Sequence, residues 1–376
     1  MRLMFLCGCL EPGRDGVGDY SRKLAGEFIR QGNEVSVISL NDPYIRNMHH
    51  EDQYDGKEHI PVVRLSSDLE KKEKVTAACL WIDKFDPDLL SLQYVPFSFH
   101  KKGIPFGIGT YFKEIFRERK VHLMFHEIWQ GESKESTFKD KIVGFVQKRI
   151  SYSIISSVRP SWISTTNEYY KNCFTGLNIK PMKVPVFSNM PIGNPQRMEV
   201  FKLLPQKVIL EREKYIVGCF FGSLIDHDEL PDRVTELSAM VREQCGKELI
   251  ITHIGRSGGV KDQLETLSKL TGIETVVLGE WPEQAIADYL ANVEIGLTNY
   301  PGILYEKSGS IAAFLYNGRP VVFLKESFEK DDRSMEEIKD LAEIKDLGSF
   351  YTQNKDFYLK YGVEQAYHKY RTLFNS

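Results

Sequence analysis

Two stretches of this sequence gather residue types that hold anions. The first, Gly8-Cys9-Leu10-Glu11-Pro12-Gly13-Arg14-Asp15-Gly16-Val17-Gly18-Asp19, follows an apolar strand-like run and ends where a helical pattern begins. A helix N-terminus exposes free N–H groups and the positive end of the backbone dipole, so this loop suits a phosphate or a sugar. Its glycines at 13, 16 and 18 follow a longer excursion than the G-x-G-x-x-G of dinucleotide-binding proteins, which sits tight against its strand. A Gly-rich turn serving only helix entry is the alternative reading. The second stretch, Tyr305-Glu306-Lys307-Ser308-Gly309-Ser310, precedes a helical pattern with apolar Ile311, Phe314 and Leu315, closed by Gly318 and Pro320. Glu, Lys, two Ser and a Gly at one helix N-terminus make an anion cradle, although Ser308 or Ser310 would also serve as a plain cap. Two other groups are read as structural. Cys7 and Cys9 point the same way from one strand, and without a second clustered pair they read as buried thiols rather than a metal or redox site. In Asp226-His227-Asp228-Glu229, adjacent side chains cannot all aim at one ion, so a solvated helix start is expected and no metal is.

The elements that position these residues repeat in two series. At about 150 residues per domain, 376 residues make two domains the default. The first series has apolar runs at 3–9, 34–40, 62–65, 89–94 and 122–126, with 162–166 as one more strand. A helix at 19–31, with its stripe Tyr20, Leu24, Phe28, is stopped by Gly32, and helical stretches follow around 69–84 and 138–153. The second series has strands at 215–222, 249–253, 275–278, 294–297 and 320–324 with helical patterns between. Alternation of this kind marks βαβ units and parallel sheets covered on both faces, an α/β fold. Such sheets bind ligands outside the carboxyl ends of their strands. Pro181, Pro185, Pro191, Pro195 and Pro205 break regular structure, so the expected partition is a domain at 1–190, a linker at 191–214 and a domain at 215–352. In the last segment, 353–376, Phe357, Tyr361, Tyr367 and Tyr370 repeat as a helix that is expected to pack across the domain boundary.

Composition excludes whole classes. Lys plus Arg is 49 against 52 for Asp plus Glu, a net charge of −3, so no global basic field serves a nucleic acid. Hydrophobic residues at 42% and charged ones at 27% are globular values, which exclude a disordered or collagen-like chain. Six cysteines suggest a reducing compartment. The start lacks a signal-peptide pattern and no run approaches the ~18 apolar residues that span a bilayer, so a cytoplasmic protein is expected.

Taken in order, several stretches resemble the landmarks of one family. Gly16-Val17-Gly18-Asp19-Tyr20-Ser21-Arg22-Lys23-Leu24-Ala25 with Gln31-Gly32-Asn33-Glu34-Val35, then Phe85-Asp86-Pro87-Asp88, His126-Glu127-Ile128-Trp129, Gly279-Glu280-Trp281, Glu294-Ile295-Gly296-Leu297 and Glu306 through Gly318-Arg319-Pro320 are similar to retaining GT-B glycosyltransferases. These are the family-4-like, group 1 enzymes that include glycogen synthase and sucrose synthase relatives, and the resemblance spans about residues 1 to 325. It implies two Rossmann-like domains with parallel sheets facing across a cleft, and transfer of a sugar from a nucleotide-sugar donor, UDP- or GDP-linked, with no other cofactor. By position it implies that Gly16, Val17 and Gly18 lie beside the donor phosphate and sugar, and that His126 contacts the donor sugar near the reacting carbon. Glu306 would accept hydrogen bonds from sugar hydroxyls, while Ser308, Gly309 and Ser310 present hydroxyls and N–H groups to the diphosphate. Gly222 and Ser223 end the strand beside the diphosphate, and Trp281 borders the base.

The chain departs from the family pattern in two places. The second glutamate of the paired motif is missing, with Phe314 eight residues after Glu306, or Ala313 when aligned from Gly318-Arg319-Pro320. The Arg and Lys that usually follow the first strand of the second domain are replaced by Ser223 and Asp226-His227-Asp228, leaving Lys307 and Arg256 to supply positive charge. Residues 100–120 mix basic, aromatic and Gly side chains where the family binds acceptors, so a glycan or lipid-linked acceptor and a peripheral contact with the inner face of a membrane are expected there. Other classes stay open: a nucleotide-sugar-binding or scaffolding partner without turnover, and an epimerase or hydrolase that consumes donor with no acceptor.

Overall fold

The structure, a computed structural model, describes residues 1–131, 136–222, 224–225, 228–256, 258–325, 337–352 and 360–376. They divide into two units, Met1–Pro185 with Ala366–Ser376, and Val186–Gln365.

In the first unit the chain runs β1 (Arg2–Cys7), α1 (Gly16–Arg30), β2 (Glu34–Asp42), β3 (His49–Asp55), β4 (Glu58–Ser66), α2 (Lys71–Phe85), β5 (Leu89–Tyr94), α3 (Ile108–Phe116), β6 (Val121–Phe125), α4 (Phe138–Val158), β7 (Trp162–Thr165), α5 (Glu168–Thr175) and β8 (Met182–Lys183). The sheet order is β3-β4-β2-β1-β5-β6-β7-β8. Every pairing is parallel except the β3–β4 hairpin. Leu3 to Cys7 of β1 are fully buried, as expected for a central strand with helices on both faces. The hairpin strand β3, His-His-Glu-Asp-Gln-Tyr-Asp, carries almost no apolar side chain and was not marked by any apolar run. It lies at the sheet edge, where polar residues belong.

The second unit contains α6 (Gln206–Leu210), β9 (Tyr215–Phe221), α7 (Leu230–Cys245), β10 (Glu248–Ile254), α8 (Val260–Thr271), β11 (Glu274–Gly279), α9 (Glu283–Leu290), β12 (Ile295–Thr298), α10 (Gly309–Tyr316), β13 (Val321–Phe323), β14 (Ile338–Asp340) and α11 (Leu347–Thr352). Its six strands are parallel in the order β11-β10-β9-β12-β13-β14. The proline-rich stretch read as a linker, 191–214, lies inside this unit. Val200, Phe201, Leu204 and Val208 are buried in its core beside Tyr289 and Leu290. Gly193 N–H donates to Asn317 Oδ1 at 2.7 Å and Asn194 N–H to Asp288 Oδ1 at 2.9 Å. Proline forbids long regular elements but does not stop side chains between prolines from being buried.

The final helix, α12 (Val363–Phe374), begins in the second unit and from Ala366 onward belongs to the first. Its aromatic stripe completes the first unit's core: Tyr367 meets Phe28 at 4.8 Å between ring centroids, and Tyr370 and Phe374 meet His122 at 5.1 and 5.3 Å. Phe357 lies outside the described residues. Among the described residues no helix is long and apolar enough to cross a membrane.

Candidate functional site

In the second sheet β9, β10 and β11 succeed one another to one side and β12, β13 and β14 to the other, so the loops diverge at the carboxyl ends of β9 and β12. Open α/β sheets bind ligands at such a switch point. There a cavity of about 210 Å³ is lined by Phe221, Leu297, Thr298, Lys307, Ser308 and Ser310, with Gly309 and Tyr300 also on its wall. The helix α10 starts at it. Ser308 is its N-cap, its hydroxyl accepting from Ile311 N–H at 3.3 Å, and the N–H groups of the first turn precede the first intrahelical bond. Gly222 turns the chain away from β9 at φ +76°, and a Cβ placed on it would lie 3.2 Å from Ser310 Oγ. His253 holds that turn: its Nε2–H donates to the Gly222 carbonyl at 2.7 Å, while burial lowers its pKa against the pull of that bond.

The structure therefore brings Gly222, Lys307, Ser308, Gly309 and Ser310 together. Glu306 sits just before them in a 3-10 turn (Gly302–Lys307), half-buried, with its backbone carbonyl accepting from Val186 N–H at 2.9 Å. Arg256 is exposed on the turn after β10 and is not on the cavity wall. Trp281 is not on it either, because its indole N–H donates to the Leu278 carbonyl at 3.0 Å and its ring meets Tyr289 edge-on at 5.7 Å. Ser223, Asp226 and His227 lie outside the described residues. Phe221, Thr298 and Tyr300 were not singled out in the sequence, although strand order alone would have placed Phe221 and Thr298 at the switch point.

In the first unit the loop Gly8 to Asp15 leads into α1, and the N–H groups of Leu10, Glu11, Gly13 and Arg14 have internal partners. Asp15 caps the helix, Oδ1 accepting from Gly18 N–H at 2.7 Å, and Gly13 N–H donates to Asp19 Oδ1 at 3.0 Å. Burial raises the pKa of Asp15, opposed by the Gly18 N–H. The glycines differ in role. A Cβ on Gly18 would meet the Cys9 carbonyl oxygen at 2.4 Å, whereas one on Gly16 would meet nothing within 4 Å. Arg64 locks the loop's base, contacting Asp42 at 2.9 Å, Glu11 at 2.5 Å and Glu51 at 3.3 Å.

His126 follows β6 directly and is buried against α1. Its ring stands edge-on to Tyr20 at 4.7 Å, and its Nε2 is 2.8 Å from Gln93 Oε1. Gln93 Nε2 donates to Ser91 Oγ at 2.8 Å, so its oxygen faces the histidine and His126 carries its proton on Nε2. The chain of bonds continues from Ser91 to His122 Nδ1 at 2.8 Å and from His122 Nε2 to Ser164 Oγ at 3.0 Å. Burial, with His126 nearby, lowers the His122 pKa to about 3. His126 thus packs on α1 through Tyr20, four residues on from Gly16. Burial likewise pushes the Cys9 thiol up to about 12 and raises Cys7, whose Sγ donates to the Cys9 carbonyl at 3.2 Å, as inert core thiols require.

No protein-family model matches the chain. No curated protein sequence matches it either. Solved structures do. Anabaena HepE in complex with UDP-glucose aligns over 100% of both chains at 16% identity with a TM-score of 0.61. The lipopolysaccharide outer core galactosyltransferase WaaB aligns over 100% of this chain and 99% of its own at 14% identity and a TM-score of 0.55. A UDP-GlcNAc 2-epimerase from Methanocaldococcus jannaschii aligns over 100% of both at 11% identity and 0.50. At these identities the likeness is one of fold, and with two α/β sheets in two units, parallel but for the β3–β4 hairpin, the chain has the GT-B fold.

Proposed function

We propose that the protein is a glycosyltransferase that moves a sugar from a nucleotide-sugar donor, UDP- or GDP-linked, to a glycan or lipid-linked acceptor. The observation that carries this reading is the cavity at the switch point of the second sheet, which Lys307, Ser308 and Ser310 line at the N-terminus of α10. Departure of a nucleoside diphosphate builds negative charge on oxygen, and fixed N–H dipoles with one cation stabilise that charge without a metal. The complexes of HepE with UDP and with UDP-glucose support a UDP donor. In this reading Glu306 accepts from sugar hydroxyls and His126 contacts the donor sugar. Gly16 leaves room beside α1 for the donor, Gly222 lets Ser310 approach it, and Arg256 and Trp281 border the nucleotide. Transfer proceeds with retention. The test is release of nucleoside diphosphate from UDP- or GDP-sugars with and without added glycan and glycolipid acceptors, and ¹H NMR of the product anomer. Acceptor-dependent release with the donor's anomer retained supports the proposal, and release without acceptor marks an epimerase or hydrolase.

One observation favours a second reading, a donor-binding partner without turnover. Where the family pattern places the second glutamate stand Phe314 or, aligned from Gly318-Arg319-Pro320, Ala313; the ring of Phe314 lines the cavity and presses on Gly296, a Cβ on which would lie 2.6 Å from its Cγ. That reading predicts donor binding with no release under any acceptor.

We also propose that the first unit touches the cytoplasmic face of an anionic membrane through residues 100–120 and the adjoining α4. Phe106 is 76% exposed, and on α4 Phe138 and Phe145 are 80% and 60% exposed, opposite the buried Gln147, Ile150 and Ile154. Arg149 stacks on Phe145 at 5.2 Å. Co-sedimentation with phosphatidylglycerol vesicles, lost at high salt and in Phe138→Ser/Phe145→Ser, is the expected result.

A further inference from the structure

A row of polar side chains crosses the centre of the first sheet, where apolar ones would pack without needing partners. Ser91 and Gln93 of β5, His122 of β6 and Ser164 of β7 are fully buried, and His126, directly after β6, is nearly so. Burial keeps His122 neutral, so only one of its ring nitrogens donates. With the Gln93 amide oriented as it is, every bond of the row runs in one direction. His126 Nε2–H donates to Gln93 Oε1, Gln93 Nε2–H to Ser91 Oγ and Ser91 O–H to His122 Nδ1, each at 2.8 Å, and His122 Nε2–H donates to Ser164 Oγ at 3.0 Å.

Two tyrosines close the row into a ring. Tyr370 of α12 stands edge-on to His122 at 5.1 Å, its hydroxyl is 3.2 Å from that of Tyr20 on α1, and the Tyr20 ring stands edge-on to His126 at 4.7 Å. Burial raises the Tyr370 pKa, opposed by hydrogen bonds with Tyr20 and Gln93, so its hydroxyl also reaches the amide at the middle of the row. A core that needed only packing would be served as well by aliphatic side chains at 91, 93 and 164, since a buried bonded pair and an apolar pair of the same shape are nearly equal in stability. What the polar ring adds is definition. It fixes which nitrogen of His126 carries the proton and which way the imidazole plane faces.

We propose that Gln93 and, through the Tyr20–Tyr370 hydroxyl pair, Tyr370 of helix α12 are positioning residues for His126, holding its proton on Nε2 and leaving Nδ1 as the acceptor. On the transferase reading above, on which this step rests, His126 meets the donor sugar as an acceptor at Nδ1, and α12 contributes to turnover without touching substrate. The position of the proton itself requires neither donor nor turnover.

The test is long-range ¹H–¹⁵N NMR of the full chain labelled with ¹⁵N-histidine, the His126 signals being identified by their loss in His126→Gln. In the wild type Nε2 should be protonated and Nδ1 not. Gln93→Leu removes the acceptor and should move both nitrogens toward the averaged values of mixed tautomers, while Gln93→Glu keeps an acceptor there and should restore the proton to Nε2. Tyr20→Phe/Tyr370→Phe is the folding-safe variant: it removes both partners of one bond and keeps both rings, so it should melt close to the wild type while its His126 signals move as in Gln93→Leu. In turnover with a nucleotide sugar, both of these variants should lower kcat about tenfold and leave KM within about twofold, the mark of a misplaced group rather than a lost contact. A proton on Nδ1 in the wild type, His126 signals unmoved in either variant, or an unchanged kcat in both overturns the proposal. Absence of turnover with every donor would count against the transferase reading alone, because the NMR signals are read without donor.

Discussion

Gly18 and Gly16 stand two residues apart in one Gly-rich turn and carry different constraints. The Cys9 carbonyl occupies the space a Cβ on Gly18 would need, so Gly18→Ala should cost about 1–3 kcal/mol in urea unfolding. Gly16→Ala should leave stability within about 0.5 kcal/mol and lower donor affinity, since its methyl enters open space at the start of α1. A destabilised Gly16→Ala with unchanged affinity would make the turn purely structural. His122 sets a pH dependence. Its pKa falls from 6.5 to about 3 in the folded chain, so the unfolded chain binds the extra proton between those values. Stability from this group is therefore full above about pH 6.5 and is lost toward pH 3, by up to about 1.4 kcal/mol per pH unit. His122→Gln should flatten that window in unfolding measured across pH. Lys307 to Ser310 were legible in the sequence because a helix N-terminus is a local signal. The packing of Trp281 was not, because its bond to Leu278 and its contact with Tyr289 are set by tertiary structure.

At the level of elements, the central parallel strands announced themselves as apolar runs, whereas β3 did not, since an edge strand has no need of them. The prolines between 181 and 205 marked irregular backbone correctly and freedom incorrectly, because Val200, Phe201, Leu204 and Val208 are core residues of the second unit. Aromatic periodicity identified α12, and its partners, Phe28, His122 and Trp162, lie more than 200 residues away in sequence. Tyr370 is fully buried, with its hydroxyl 3.2 Å from that of Tyr20. Tyr370→Ala should therefore cost about 3–5 kcal/mol in the first unit and make it the earlier of the two to yield to protease. A loss under about 1 kcal/mol would show that α12 contributes little to that core.

For the whole molecule, the doubled βαβ series was enough to read two parallel α/β domains, the resemblance implied two Rossmann-like ones, and the structural likenesses to HepE and WaaB agree with that fold. Chemistry was legible only where it is local. The switch-point cavity of the second unit joins residues from 221 to 314, and its composition depended on strand order that no single motif reveals. The central claim is that this cavity holds the diphosphate of a nucleotide sugar. The most direct measurement is the melting temperature of the protein against rising concentrations of UDP-, GDP-, ADP- and TDP-sugars, with Lys307→Ala and Ser310→Ala alongside. A ligand that binds only the folded state raises the midpoint, by about 2.7 kcal/mol of stability at a hundred times its dissociation constant. The account predicts such a shift for one nucleotide class, diminished in both variants. No shift with any donor, or a shift that both variants retain in full, would contradict it.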